Sequence, residues 1–247
     1  MFDHVWSLSD LRNQPVMEPT WLIDGWVGHG DAVLLYGEWG SGKTYVLMHM
    51  ALCLGSGTFF FGAKTQQVRV LYIDQEQSFA NANYRFNLLM AGSPHFHDSL
   101  VHYVNQPNLL LTPKKGQQLG TLADRYDVII IDSLRSVLDG DENRAQDIRA
   151  LWSALLHLKK AGVTTILTHH MNKEGATPQS LRNRASGNTD LGAGADTALA
   201  LQCLDERPNR MDLRLSHVKT RWDGKHQPLE IKALWKTGEW SRFTQQP

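Results

Sequence analysis

Short apolar runs alternate with helically spaced apolar positions along the first two thirds of this chain. Residues 32–36 (Ala-Val-Leu-Leu-Tyr) read as a buried strand, and Val46, Leu47, Met50, Ala51 and Leu54 then recur at helical spacing. The pair repeats: residues 68–73 are β-branched and apolar, and Phe79, Ala82, Phe86, Leu89 and Met90 form a stripe behind Ser78, a natural helix cap. Residues 101–104 predict a short strand, and 127–132 (Asp-Val-Ile-Ile-Ile-Asp) the strongest one, apolar on both faces as an interior parallel strand is. Ile148, Leu151, Trp152, Leu155 and Leu158 predict a further helix ending at Gly162, a C-terminal cap. Residues 163–168 predict the next strand. The pattern then changes, since 197–203, 211–219 and 229–234 read as successive strands joined by turns. The expected fold is α/β, a mostly parallel central sheet flanked by helices with a C-terminal antiparallel strand extension.

Length and charge narrow the classes. At 247 residues the chain suits one α/β domain, with residues 1–30 read as an N-terminal flap packed on a core of 31–247. Lys+Arg and Asp+Glu are equal at 25 each, so a nucleic-acid contact would need a local basic patch. Cys53 and Cys203 sit in apolar surroundings and read as reduced core residues of a cytoplasmic protein. The start of the chain lacks a signal-peptide pattern, and no apolar run reaches membrane-spanning length.

Chemistry enters at Gly37-Glu38-Trp39-Gly40-Ser41-Gly42-Lys43-Thr44, a G-x-x-x-x-G-K-[ST] pattern between a strand and a helix, with Tyr45 following. The glycines let backbone N–H groups converge at the positive end of the helix, a cradle for phosphates. The pattern implies that Lys43 reaches the β- and γ-phosphates of ATP and that the Thr44 hydroxyl holds Mg²⁺. Asp132, closing an apolar strand, is the second candidate metal residue. Glu76, read as ending the strand that starts at residue 68, is the candidate that polarises the attacking water, with Asp74 as a competitor two residues earlier. His169 and His170 end the strand after Asp132 and are candidates for sensing the γ-phosphate. His95, His97 and His102 read as surface loop residues. Asp139, Asp141 and Asn143 have calcium-loop spacing, but Arg144 and Ala150 stand where glycine and glutamate are required, which excludes that reading.

A phosphate loop, a glutamate closing the second strand, an apolar strand ending Asp-Ser and a strand ending in histidine together resemble the RecA-like ATPase fold. Within it the chain is similar to plasmid RepA-type and DnaB-type hexameric helicase cores. Glu18-Pro19-Thr20-Trp21-Leu22-Ile23-Asp24-Gly25 resembles the lead-in of the RepA-type group, and His169-His170 falls at its histidine motif. Lys219-Thr220-Arg221-Trp222-Asp223-Gly224 resembles the K-x-R-x-x-G element by which a DnaB-type subunit reaches its neighbour's γ-phosphate. The resemblance implies an ATP hydrolase working with Mg²⁺, a homo-oligomer forming a hexameric ring, catalytic roles for Lys219 and Arg221, and a replication or recombination protein partner. It also implies that the polar stretch after the histidines lines the channel and meets single-stranded DNA through Lys173, Arg182 and Arg184. No separate primase- or loader-binding domain is expected. Two alternatives stay open, a recombination or remodelling ATPase that does not unwind, and a nucleotide-gated assembly switch with slow hydrolysis.

Overall fold

A computed structural model describes residues 5–15, 19–171, 190–222 and 226–242. A short helix α1 (Leu8–Arg12) precedes a two-stranded pair, β1 (Trp21–Ile23) and β2 (Val27–Gly28). There follow β3 (Ala32–Gly37), α2 (Lys43–Ser56), β4 (Val70–Asp74), α3 (Phe79–Ala91), β5 (Val101–Asn105), α4 (Pro113–Gly120), β6 (Val128–Asp132), α5 (Leu134–Val137), α6 (Ala145–Lys160) and β7 (Thr164–His170). After the undescribed segment come α7 (Asp190–Gly194), β8 (Thr197–Arg207), β9 (Arg210–Lys219), β10 (Leu229–Leu234) and β11 (Trp240–Arg242). Among the described residues no helix is long and apolar enough to cross a membrane.

The main sheet has the order β11-β10-β9-β8-β3-β7-β6-β4-β5. Strands β8, β3, β7, β6, β4 and β5 are parallel, while β9, β10 and β11 run antiparallel to their neighbours, so the expected sheet and its extension are both present. Strand β8 joins the halves, pairing in parallel with β3 and antiparallel with β9. The core lies on both sheet faces. Val33 and Leu35 of β3 pack with α2, whereas Leu34 and Tyr36 pack with α6. This is the period-two alternation of a strand covered on both sides. Val128, Ile129, Ile130 and Ile131 have no exposed surface, and each such side chain gains about 1.5–3 kcal/mol by burial.

The caps behave as their residue types predict. The Ser78 hydroxyl accepts the Asn81 N–H at 3.2 Å to start α3, and Gly162 follows α6 in the left-handed region at φ +80°. Helix α4 is not signalled by the sequence pattern, because it carries no apolar stripe. It starts at the Thr112 cap, and its Gly116 lies so close to α6 that a Cβ would meet the Ala154 carbonyl at 2.2 Å. Three further expectations need correction. Cys203 is exposed, because β8 outruns its partner β3 and opens to solvent beyond Leu201. His102 lies on β5, its Nδ1 2.8 Å from the Tyr126 hydroxyl, while His95 and His97 are loop residues as expected. Asp74, not Glu76, closes β4. At the N-terminus, β1 and β2 put Leu22, Ile23, Trp26 and Val27 into the core, whereas α1 buries none of its residues.

Candidate functional site

The parallel strands β3, β4, β6 and β7 end at one edge of the sheet, and a cleft of about 320 Å³ opens there. Its floor is the loop from Gly37 to Gly42. Gly40 and Gly42 have φ of +77° and +83°, where a side chain would be strained. Gly37 must be glycine for a different reason, since a Cβ would lie 2.4 Å from the Leu201 carbonyl of β8. The turn delivers the chain into α2 at Lys43, so the first N–H groups of that helix, which have no intrahelical acceptor, face the cleft together with Thr44 and Tyr45. Lys43 is 9% exposed and its Nζ donates to the Gly37 and Glu38 carbonyls at 3.0 and 2.8 Å. Burial lowers its pKa, against the opposing pull of Asp132, Glu76 and Glu38. The Ser41 hydroxyl is buried in this wall with no hydrogen-bond partner, a donor left over for a ligand.

Asp132 enters from the end of β6 at 2% exposure. It accepts hydroxyl protons from Thr168 at 2.6 Å and Tyr72 at 3.1 Å, and the Thr44 hydroxyl bonds to it as well. Burial raises its pKa, and the Thr168 and Thr44 hydrogen bonds hold the rise in check. Glu76 sits in the turn after β4, where its Oε1 accepts from the Ser133 and Ser136 hydroxyls. Asp74 does a different job. Its Oδ1 accepts the N–H groups of Glu76 and Gln77 at 2.9 Å, and its Oδ2 accepts from Gln77 Nε2 and the Tyr103 hydroxyl. Both of its oxygens go into shaping the turn that presents Glu76, and it does not line the cleft.

His169 and His170 both reach the cleft from the end of β7. His169 is 1% exposed with its Nε2 3.9 Å from Glu142 Oε2. His170 is half-buried, and burial lowers its pKa with help from the positive charge of Lys43, so its imidazole is neutral at pH 7. Sequence reading missed the opposite wall. The Arg85 guanidinium lies 4.8 Å over the Tyr45 ring, Trp235 meets the same ring at 4.6 Å, and Met211 lines the cleft beside them. Arg85 comes from α3 and the other two from the antiparallel extension, whose approach no local pattern signals. Glu38 and Trp39 lie on the loop's outer side, with Trp39 87% exposed at the rim.

Lys219 and Arg221 are not in the cleft. Lys219 Nζ donates to the carbonyls of Gly192, Ala193 and Ala195 at 2.6–3.1 Å. The Arg221 guanidinium pairs with Asp196 at 2.9 Å, and Asp196 also accepts from Lys159 Nζ at 2.7 Å and the Ala32 N–H at 2.9 Å. Ala32 begins β3 and Gly37 ends it, so this cluster lies at the opposite end of the strand, about 17 Å away at roughly 3.3 Å per residue. Lys173, Arg182 and Arg184 lie outside the described residues. Asp141 keeps its carboxylate for the Asn143 backbone and side-chain N–H groups. Among the described residues, no group of three or more histidine, cysteine, aspartate or glutamate side chains is placed to hold a metal ion.

A family model described as an AAA domain matches residues 2–176. A KaiC-like protein from the hyperthermophilic archaeon Pyrococcus horikoshii OT3 has the same fold, with a TM-score of 0.62, 15% identity, and coverage of 90% of this chain and 94% of that one. No curated protein sequence matches the chain. The chain belongs to the AAA domain family and carries the fold of a RecA-like P-loop ATPase.

Proposed function

We propose that the protein binds and hydrolyses ATP with Mg²⁺ at sites shared between subunits of a ring, as a single-stranded-DNA-stimulated motor of the helicase type. The carrying observation is the convergence of Lys43, Thr44, Asp132 and Glu76 on the cleft beside the left-handed glycine loop. The fit to a metal–nucleotide complex is supported by the donor set. N–H groups and the spare Ser41 hydroxyl suit phosphate oxygens, and Thr44 with the buried Asp132 would hold Mg²⁺. Bound there, Mg²⁺ would neutralise charge developing on the phosphates.

In this reading Lys43 leaves its two carbonyls to neutralise the β- and γ-phosphate oxygens. Glu76, oriented by Ser133 and Ser136, accepts a proton from the attacking water. The neutral His170 donates a hydrogen bond toward the terminal phosphate, and His169 relays the movement to Glu142. Tyr45, Arg85 and Trp235 supply flat and cationic surfaces against which a base can stack. An arginine side chain is too short to cross the strand-length gap separating Arg221 from its own cleft. If Arg221 serves a γ-phosphate, that phosphate belongs to a second copy, as a ring would require. The DNA half rests on Lys173, Arg182 and Arg184 and on the resemblance to RepA-type and DnaB-type cores.

ATP turnover measured with and without single-stranded DNA tests both halves. Wild-type hydrolysis, its loss in Lys43→Ala, and stimulation by DNA are expected. Wild-type turnover in Lys43→Ala would refute the cleft assignment. Unchanged turnover with no salt-sensitive DNA binding would remove the DNA half alone. Light scattering with a non-hydrolysable ATP analogue should report assembly above the monomer.

A further inference from the structure

Arg221 and Trp222 are consecutive residues just past β9, and two buried carboxylates hold them, one each. Asp196 takes the Arg221 Nε at 2.9 Å, while the arginine side chain stays 59% exposed. Asp31 accepts the Trp222 indole N–H, which lies 3.3 Å from both of its oxygens. Each carboxylate is also bonded to the residue that follows the other. Asp196 accepts the Ala32 N–H at 2.9 Å, and Asp31 accepts the Thr197 hydroxyl at 3.1 Å. The starts of β3 and β8 are thereby braced against each other. The β1–β2 hairpin seats the indole, since Trp21 meets it edge-on at 6.0 Å and a Cβ on Gly28 would lie 2.5 Å from its Nε1. The backbone between is tied as well, because the Thr220 hydroxyl accepts the Trp222 N–H at 3.1 Å. Burial and the neighbouring Asp196 both raise the pKa of Asp31, so the two acids are kept together against their own repulsion.

We propose that Trp222 is a positioning residue for Arg221, with Asp31 and the β1–β2 hairpin as its socket. The inference rests on the reading above, in which Arg221 serves the γ-phosphate of a second copy. Asp196 alone fixes one nitrogen of a long side chain and leaves the backbone beneath it a pivot. Gripping the next residue removes that pivot, so the guanidinium leaves the sheet in one direction. Misplacing a catalytic group by about 1 Å can cost on the order of 10²-fold, which gives such a grip its value. Trp222 does not line the cleft of its own chain, so its loss acts on turnover and not on nucleotide affinity.

ATP turnover and affinity for a non-hydrolysable analogue, measured on full-length variants, test the proposal. Trp222→Phe keeps a ring and loses the N–H, and should turn over about tenfold or more slowly with unchanged analogue affinity. Mixed with Lys43→Ala it should partly recover, because its cradle is intact and the other copy supplies a positioned arginine. Mixed with Arg221→Ala it should stay slow, because neither copy does. The double variant of Arg221→Ala and Trp222→Phe should be no slower than Arg221→Ala alone, as expected of two residues acting as one unit. Asp31→Asn, which puts an amide in place of the carboxylate that takes the indole, gives the same reading if Trp222→Phe does not fold. Wild-type turnover in Trp222→Phe beside a slow Arg221→Ala would overturn the positioning role alone. So would a co-assembled mixture with Lys43→Ala that shows no recovery where Arg221→Ala does recover. Wild-type turnover in Arg221→Ala would instead remove the reading of Arg221, and the proposal with it.

Discussion

Strand β3 joins two clusters, each built round a buried carboxylate and wired in opposite ways. At the Gly37 end, Asp132 is bonded to neutral hydroxyls of Thr168, Tyr72 and Thr44. At the Ala32 end, Asp196 is bonded to the cations Lys159 and Arg221 and to a backbone N–H. The first has hydroxyl partners, which in the proposed reading leaves it to Mg²⁺. The second is already neutralised, and its arrangement holds Arg221 in place. The pair teaches that burial alone does not mark a reactive carboxylate, because the charge of its partners decides what it is free to do.

The comparison can be broken most sharply at Arg221. If it works on a neighbour's nucleotide, Arg221→Ala should lose roughly 10³-fold in turnover while still binding ATP. Mixed with Lys43→Ala subunits, it should partly recover, because some interfaces then join an intact cradle to an intact arginine. A co-assembled mixture that stays dead would put Arg221 back among purely structural residues. Next in size is Glu76→Gln, expected to lose about 10²-fold or more in turnover with nucleotide affinity retained. Asp74→Asn should act mainly on stability, and the reverse outcome would exchange the two residues.

Stability should separate the carboxylates by sign. The pKa of Asp132 is raised in the folded chain, so its ionisation costs stability as pH rises through that folded value, and without metal Asp132→Asn should melt higher at pH 7. Asp196→Ala should instead melt lower, by about 1–3 kcal/mol, because the Ala32 N–H loses its acceptor. Shifts of the same sign in thermal denaturation would end the contrast. The smallest effect is Tyr72→Phe, about 1 kcal/mol by denaturant titration, the worth of one buried hydrogen bond.

Much of this architecture is legible in the sequence. The glycine loop, Lys43, Thr44, Asp132 and the succession of strands follow from short-range patterns, because a strand, a turn and a helix N-terminus are local events. Glu76 is recognisable as a residue near the sheet edge, but its distinction from Asp74 is not, since that depends on which carboxylate turns back on its own backbone. Arg85, Trp235, Met211 and Tyr72 are out of reach because they meet the site only through tertiary packing. Cys203 misleads for the same reason: its apolar neighbours in sequence do not reveal where the sheet ends. Helix α4 eludes the pattern because a glycine, not an apolar stripe, forms its contact with α6.

The close approach of Gly37 to the Leu201 carbonyl has a mechanical consequence. Strand β8 is bonded along one side to β3 and along the other to β9, which ends at Lys219. With no side chain between Gly37 and β8, there is little compliance at that joint. A displacement applied to the β8–β9 hairpin is carried in shear, through rows of backbone hydrogen bonds, straight to the start of the phosphate loop. The antiparallel extension is therefore a stiff lever fixed to the cradle, and leverage applied to it alters the loop's geometry before any side chain has to move.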